Sequence, residues 1–379
     1  MTRRELLQLA AVSPVAAAAV PKQAPTAPVS IAKVADYQTD LTPVIARMFD
    51  QIGGVERLVK NKTVTIKLNL TGAPSIRFHG KAPGLTHYTH PQTVMAMVAV
   101  LDRAGARRIR LVESAWGTAG PLDEYLLDSG WNVRQLKSLS KNLVLENTNG
   151  IGSYKKYARF KVPGTGYIYP GFDLNSAFAE TDVFMSMAKL KNHATCGVTL
   201  TMKNCFGNTP ASIYGDDAGV HEPNESPTKG RLDVCHYGKR QPSSSSPAEF
   251  DTATSRSPEY RMPRIVAELN AARPVEIAFI DGVETVTGGE GPWVRGLNAV
   301  HPGVLLLGTN AVTTDTVATA VMGYDPQANR GTAPFESCDN HLKLAEALGV
   351  GTTDLKRIEV VGTPIADARF PFPTVKARA

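Results

Sequence analysis

The polar residues that could do chemistry share one arrangement: each stands at, or just past, the end of an apolar run. Lys67 and Asn69 close Val64–Leu70, and Glu113 closes the run that starts at Ile109. Lys189, Lys191 and His193 follow Val183–Met187, Asp281 follows Val275–Ile280, and Asn310 with Asp315 follows Gly303–Gly308. In open α/β sheets, ligands bind beyond the carboxyl ends of the strands. Lys67, Lys189, Lys191 and Lys203 would therefore gather ammonium groups at one edge, which predicts an anionic ligand such as a carboxylate, phosphate or sulfate. We assign Lys67, Asn69, Lys191, Lys203 and Asn204 to binding it. Lys189, His193, Glu113 and Asp281 are the acid–base candidates, because a lysine desolvated among apolar strands can serve as a base or as a Schiff-base nucleophile.

Lys189 and Lys191 are two apart, so an extended chain points both to one face, with Leu190 opposite. Their repulsion, about 2 kcal/mol at an effective dielectric near 20, has to be relieved by water or by an anion. A metal ion is left open: His87 and His90 are three apart and could share one ion, completed by His193, His221 or His236, with Glu113 or Asp281 as hard ligands. The spacing of Cys196, Cys205, Cys235 and Cys338 supports no iron–sulfur cluster, while disulfides stay available to them. Gly288–Pro292 reads as a Gly-rich turn whose N–H groups could approach an anion. No G-x-S-x-G is present to anchor a hydrolase triad.

The elements that must position these residues alternate. Strand-like runs are followed by helical spacings over Pro91–Arg103, Leu122–Asp128, Tyr260–Ala272, Thr314–Met322 and Leu342–Leu348. Asp315, at the start of one of these, suits a helix-start acid. Alternation of this kind predicts an α/β fold with a mostly parallel sheet flanked by helices. Residues 207–258 break the pattern with Gly, Pro, Ser, Asn and Asp, a loop-rich insertion that is either a lid or a floppy segment.

The first 28 residues read as an address and a linker. Arg3 and Arg4 precede the short apolar run Leu6–Val20, which contains four consecutive alanines, and residues 23–28 follow as a linker. That pattern predicts twin-arginine (Tat) export, with an ordinary secretory signal as the other reading, and so a periplasmic or secreted protein. Residues 29–379 then form a single α/β domain. The 379 residues are 42% apolar and 20% charged, with 41 Lys and Arg against 35 Asp and Glu, and they show no dense basic run. That balance disfavours nucleic acid as a partner. No apolar stretch in the mature chain reaches the length of a membrane span.

Several of these segments together resemble the bacterial family labelled domain of unknown function 362. The resemblance is carried by Ile66-Lys67-Leu68-Asn69, Thr89-His90-Pro91, Lys189-Leu190-Lys191-Asn192-His193, Lys203-Asn204-Cys205-Phe206-Gly207, Ile280-Asp281-Gly282 and Asp315-Thr316-Val317-Ala318. It extends from about Ser30 to Gly362. Some relatives carry an added ferredoxin-type cysteine cluster that this chain lacks, so the resemblance implies no iron–sulfur centre here. A looser similarity to nickel-pincer racemases is an analogy of fold. Three functions are consistent with the residues: an exported enzyme acting on a small anionic substrate, a non-catalytic periplasmic binding protein, or a metal or redox-cofactor protein folded before export. The reaction type and the oligomeric state are not legible.

Overall fold

The apolar, β-branched runs pair into one eight-stranded sheet. Its order is Val360–Gly362, Val29–Lys33, Val304–Gly308, Ile277–Gly282, Val183–Lys189, Thr63–Lys67, Arg108–Glu113 and Leu143–Asn147. This is the arrangement in a computed structural model, which describes residues 23–374. Residues 1–22, on which the expectation of export rests, fall outside the described residues. Five of the strand pairings are parallel. The two antiparallel ones are both made by Val304–Gly308. The fold is thus α/β, with a large, mostly parallel sheet flanked by helices, as the alternation predicts.

The period-two alternation of strands decides which side chains meet. Met185 and Met187 of the central strand, with Phe279 of its neighbour, face a core closed by the helices Leu41–Gln51 and Pro91–Arg103. Phe184 and Ala278 face the opposite core, under the Pro258–Ala272 helix. Lys189 and Asp281 continue the first face, and Leu190 joins the second side with Ile280 and Leu306. The helices Pro91–Arg103 and Leu122–Asp128 keep the bounds their spacing predicts. The Leu41–Gln51 helix, capped by Asp40, and the strands Val29–Lys33 and Leu143–Asn147 were not anticipated.

Two expectations need correction. Val304–Gly308 runs backwards, so Gly308 pairs with Ala278 at the amino edge, and Asn310 leaves from the edge opposite the lysines. There Asn310 caps its own helix, accepting from Thr313 N. Asp315 is not a helix-start acid for its own helix; it caps another one. Its Oδ1 accepts from Thr201 N and Thr201 Oγ1 at 2.9 and 2.5 Å, and its Oδ2 accepts from Met202 N at 2.8 Å. Leu200, which opens that short helix (Leu200–Asn204), holds a left-handed φ of +44°, a value bulky residues avoid. Within residues 23–28, read as a linker, two carbonyls are bound by the domain: Pro25 O accepts from Thr352 N, and Ala24 O from Arg357 Nη2.

The insertion has no strand of the main sheet and only short helical turns, including Ala211–Tyr214 and Leu232–His236. It is nevertheless packed. Arg261 is fully buried, ion-paired to Glu249 at 2.8 Å, and donates to the carbonyls of Val234 and Cys235 at 3.1 Å. Arg231 donates to Ser114 O at 3.3 Å, which ties the segment to the carboxyl edge.

Because Asp315 receives three donors in a fully buried position, Asp315→Ala leaves them unpaired. It is expected to destabilise the protein by roughly 2–4 kcal/mol in urea unfolding. A loss under about 0.5 kcal/mol would show that the Leu200–Asn204 turn holds itself.

Candidate functional site

Four lysines are buried at the carboxyl edge, and the structure divides them into two pairs. Lys189 belongs to a closed knot. Its Nζ donates to Tyr37 Oη at 2.7 Å and to Gly84 O at 2.8 Å, and lies 3.2 Å from Asp281 Oδ2. Asp281 is saturated in turn: Tyr37 Oη donates to its Oδ1 at 2.7 Å, and His90 N to its Oδ2 at 2.9 Å. Lys189 and Asp281 are both fully buried. Burial pulls the Lys189 ammonium down, and Asp281 opposes that pull. All three ammonium hydrogens have acceptors inside the protein, so Lys189 and Asp281 hold the edge together rather than face a ligand.

Lys67 is closed in the same way. Its Nζ sits 2.5 Å from Glu113 Oε1 and donates to Leu68 O at 2.6 Å and to Asn204 Oδ1 at 3.3 Å. Glu113 Oε2 accepts from Leu70 N, which fixes the turn that ends the Lys67 strand. Burial raises the Glu113 carboxyl and Lys67 lowers it again. Asn204 also donates to Ser186 Oγ, and Asn69 Oδ1 accepts from Lys189 N, so both amides are consumed by the framework. Gly207 completes this pair. A Cβ there would lie 2.6 Å from Lys67 Nζ and 3.0 Å from Glu113 Oε1.

Lys191 and Lys203 differ. Among the described residues neither has a carboxylate oxygen within ion-pair distance. Lys191 Nζ donates to His87 O at 2.7 Å; it is fully buried, and burial, opposed by Glu290 and reinforced by Lys203 and Lys189, brings it down to about 7. Lys191 and Lys189 do project to one face, toward the loop that carries Gly84 and His87, with Leu190 opposite. Their neighbour is not water, because Asp281 neutralises Lys189. Lys203 makes no hydrogen bond among the described residues; its Nζ lies 4.5 Å from the ring centroid of Phe206. The same ring has the Arg231 guanidinium at 5.5 Å and His236 edge-on at 5.2 Å.

Two imidazoles stand among these cations with fixed tautomers. His193 Nδ1 accepts from Thr195 N at 3.2 Å, which leaves the proton on Nε2. His236 Nδ1 lies 3.0 Å from Arg231 O, an acceptor only, so Nδ1 carries the proton and Nε2 is a free base. Burial and Lys203 hold His193 well below the ordinary imidazole range and bring His236 to about 4. Both rings are therefore neutral at pH 7. Glu290 Oε2 accepts from Ala194 N at 3.0 Å and lies 3.9 Å from His193 Nδ1, and Glu290 Oε1 accepts from Trp293 Nε1 at 3.0 Å. Lys203, His193 and Glu290, each 7–8% exposed, are where this group meets solvent.

The metal candidates are not brought together. His90 caps the Pro91–Arg103 helix and stacks on Tyr37 with ring centroids 3.5 Å apart, while His87 packs edge-on against Tyr88 and Trp293. Among the described residues no three His, Cys, Asp or Glu side chains are placed to hold a metal ion. All four cysteines are buried free thiols, so no disulfide forms among them. Arg231, Tyr37 and Glu290 were missed from the sequence, and His236 was weighed only as a metal ligand. An arginine and a histidine five apart in a Gly- and Ser-rich insertion were the available clue for two of them.

With this geometry in hand, comparison with known proteins identifies the family. Residues 64–320 match the model of a domain of unknown function, DUF362, and the chain belongs to that family. No curated protein matches the chain. Among solved structures it is similar to a Thermotoga maritima protein from a structural genomics programme, at 11% identity over 69% of this chain and 54% of that one, TM-score 0.35. It is also similar to the lactate racemase apoprotein of Thermoanaerobacterium thermosaccharolyticum, at 12% identity over 74% and 55%, TM-score 0.33. The chain spans about half the length of each, and likeness at this level carries nothing about function. No described helix is long and apolar enough to cross a membrane.

The bare Cα of Gly207 under the Lys67–Glu113 pair gives a direct check. Gly207→Ala forces that buried pair apart and is expected to cost roughly 1–3 kcal/mol in urea unfolding. A neutral result would mean that the pair relaxes freely.

Proposed function

We propose that the protein is an exported enzyme acting on a small anionic substrate, bound at the carboxyl edge of the sheet. One observation carries the reading: of four buried lysines, two are ion-paired to internal carboxylates, and two, Lys191 and Lys203, make no such pair among the described residues, with Glu290 acting on both from beyond ion-pair distance. A buried ammonium without an acidic partner is costly, and an anionic ligand is the natural remedy. In this reading Lys203 and Arg231 hold the anion, and Lys191 completes its neutralisation. His193, through Nε2–H, and His236, through its bare Nε2, supply a proton donor and a proton acceptor beside it. Lys67, Lys189, Glu113, Asp281, Asn69 and Asn204 act as positioning groups. Export rests on Arg3, Arg4 and the apolar run after them.

The test is anion-specific stabilisation. Sulfate or phosphate should raise the melting temperature more than chloride at matched ionic strength, by roughly 1.4 kcal/mol of stability at ten times the dissociation constant. Lys191→Met with Lys203→Met should abolish that increment in a protein that still folds. Equal responses of wild type and variant would sink the site. If His193→Ala changes affinity and leaves no turnover to lose, the protein is a binding protein and not an enzyme.

The pH dependence has a definite sign. With Lys191 near 7 when folded and 10.5 when unfolded, the unfolded chain binds more protons between those values, so without anion this group makes stability rise across pH 7–10.5. An anion favours the protonated amine. Its binding should therefore take up a proton and weaken by up to about tenfold per pH unit above 7, read by calorimetry in buffers of different ionisation enthalpy.

Export has its own check. Arg3→Lys with Arg4→Lys should leave precursor in the cytoplasm, and normal export of that variant would point to the general secretory route.

A further inference from the structure

Of the seven large apolar side chains left exposed among the described residues, three adjoin the site: Trp116 at 50%, Leu232 at 50% and Trp293 at 40% exposure. Tryptophan is usually well buried, and the chain's remaining one, Trp131, is. Both exposed indoles lie close to glycines. Trp293 is anchored through Nε1 to Glu290 and lies on Gly72, where a Cβ would come within 2.5 Å of its ring. Trp116 lies against Gly230, one residue before Arg231, with its Nε1 3.3 Å from where a Cβ on that glycine would stand. Tyr125 joins the two, since its hydroxyl donates to Gly72 O and lies by the Trp116 backbone. Glycines here leave room for both rings, and much of each indole surface stays in water.

A rim of this kind beside a cationic centre suits one sort of ligand. We propose that the substrate is an aryl anion, whose charged head lies at Lys203 and Arg231 and whose flat apolar body stacks on Trp116 and Trp293. The proposal rests on the anion-site reading above and adds the chemistry of the rest of the molecule. Leu232, which directly follows Arg231, favours an apolar body over a sugar, because it offers no hydrogen bond to hydroxyl groups. The exposed indole surface is what such a body would cover, and aromatic contacts contribute beyond the area they bury.

Three probes separate the outcomes: inorganic phosphate, phenyl phosphate and glucose 6-phosphate, titrated at pH 6.5 and read by calorimetry and by indole fluorescence. Phenyl phosphate should bind at least about tenfold tighter than phosphate, from two aromatic contacts, and should quench the indole emission. Glucose 6-phosphate should gain less than about threefold. Trp116→Ala should remove most of the phenyl gain while changing phosphate affinity by much less. Equal affinity for phosphate and phenyl phosphate overturns the aryl proposal and leaves the anion site standing. An equal gain from the sugar phosphate, or a Trp116→Ala variant that keeps the phenyl gain, overturns it as well. No binding of any of the three overturns both readings.

Discussion

An ammonium group withdrawn from water costs several kcal/mol unless something negative replaces the solvent. The carboxyl edge of this sheet withdraws four of them, and its layout follows from how each is compensated. Lys189 recruits Asp281 from the next strand, Tyr37 from the amino-terminal region and Gly84 from a loop. Asp281 in turn fixes His90 at the start of the Pro91–Arg103 helix. One compensated charge thereby joins four segments distant in sequence. Lys67 and Glu113 do the same for the neighbouring pair of strands, with Gly207 leaving room above them. Removing either carboxylate would leave a buried charge alone, which is more damaging than never having had the pair.

Lys191 and Lys203 complete the picture by contrast. They sit at the same edge, Lys191 fully buried and Lys203 nearly so, and among the described residues neither has a carboxylate at ion-pair distance. The imidazoles beside them are kept neutral by that burial and by the cations themselves, and their backbone partners give them opposite tautomers. One neutral ring thus offers an N–H and the other a bare nitrogen. The helix that presents Lys203 is only five residues long, so it depends on the Asp315 carboxylate to hold its first N–H groups.

Much of this was legible in the sequence, and the failures have physical causes. Alternating apolar runs and helical spacings gave the sheet and most of its helices, because both periods are imposed by burial. Placing Lys67, Glu113, Lys189, Lys191 and Asp281 at strand ends located the edge. Strand direction was invisible, since Val304–Gly308 reads the same in either sense, and so Asn310 was assigned to the wrong edge. The roles of Lys189 and Asp281 were hidden because a lysine facing an anion and a lysine facing Asp281 look identical until the partner is known. Arg231 and His236 lay in a stretch whose Gly, Pro and Ser content marked only irregular backbone. Tyr37 preceded any run that the reading had assigned.

The direction of the first strand has one more consequence. Val29–Lys33 runs parallel to the central strands, so it enters the sheet at the amino edge and ends at the lysine edge. Residues 24–26 are clamped to Thr352 and Arg357 just before that entry. A tether drawn through residue 23 would therefore pull on the pole opposite the site, roughly 15 Å of strand away. A load applied at that pole is borne at the amino edge, away from the buried lysines.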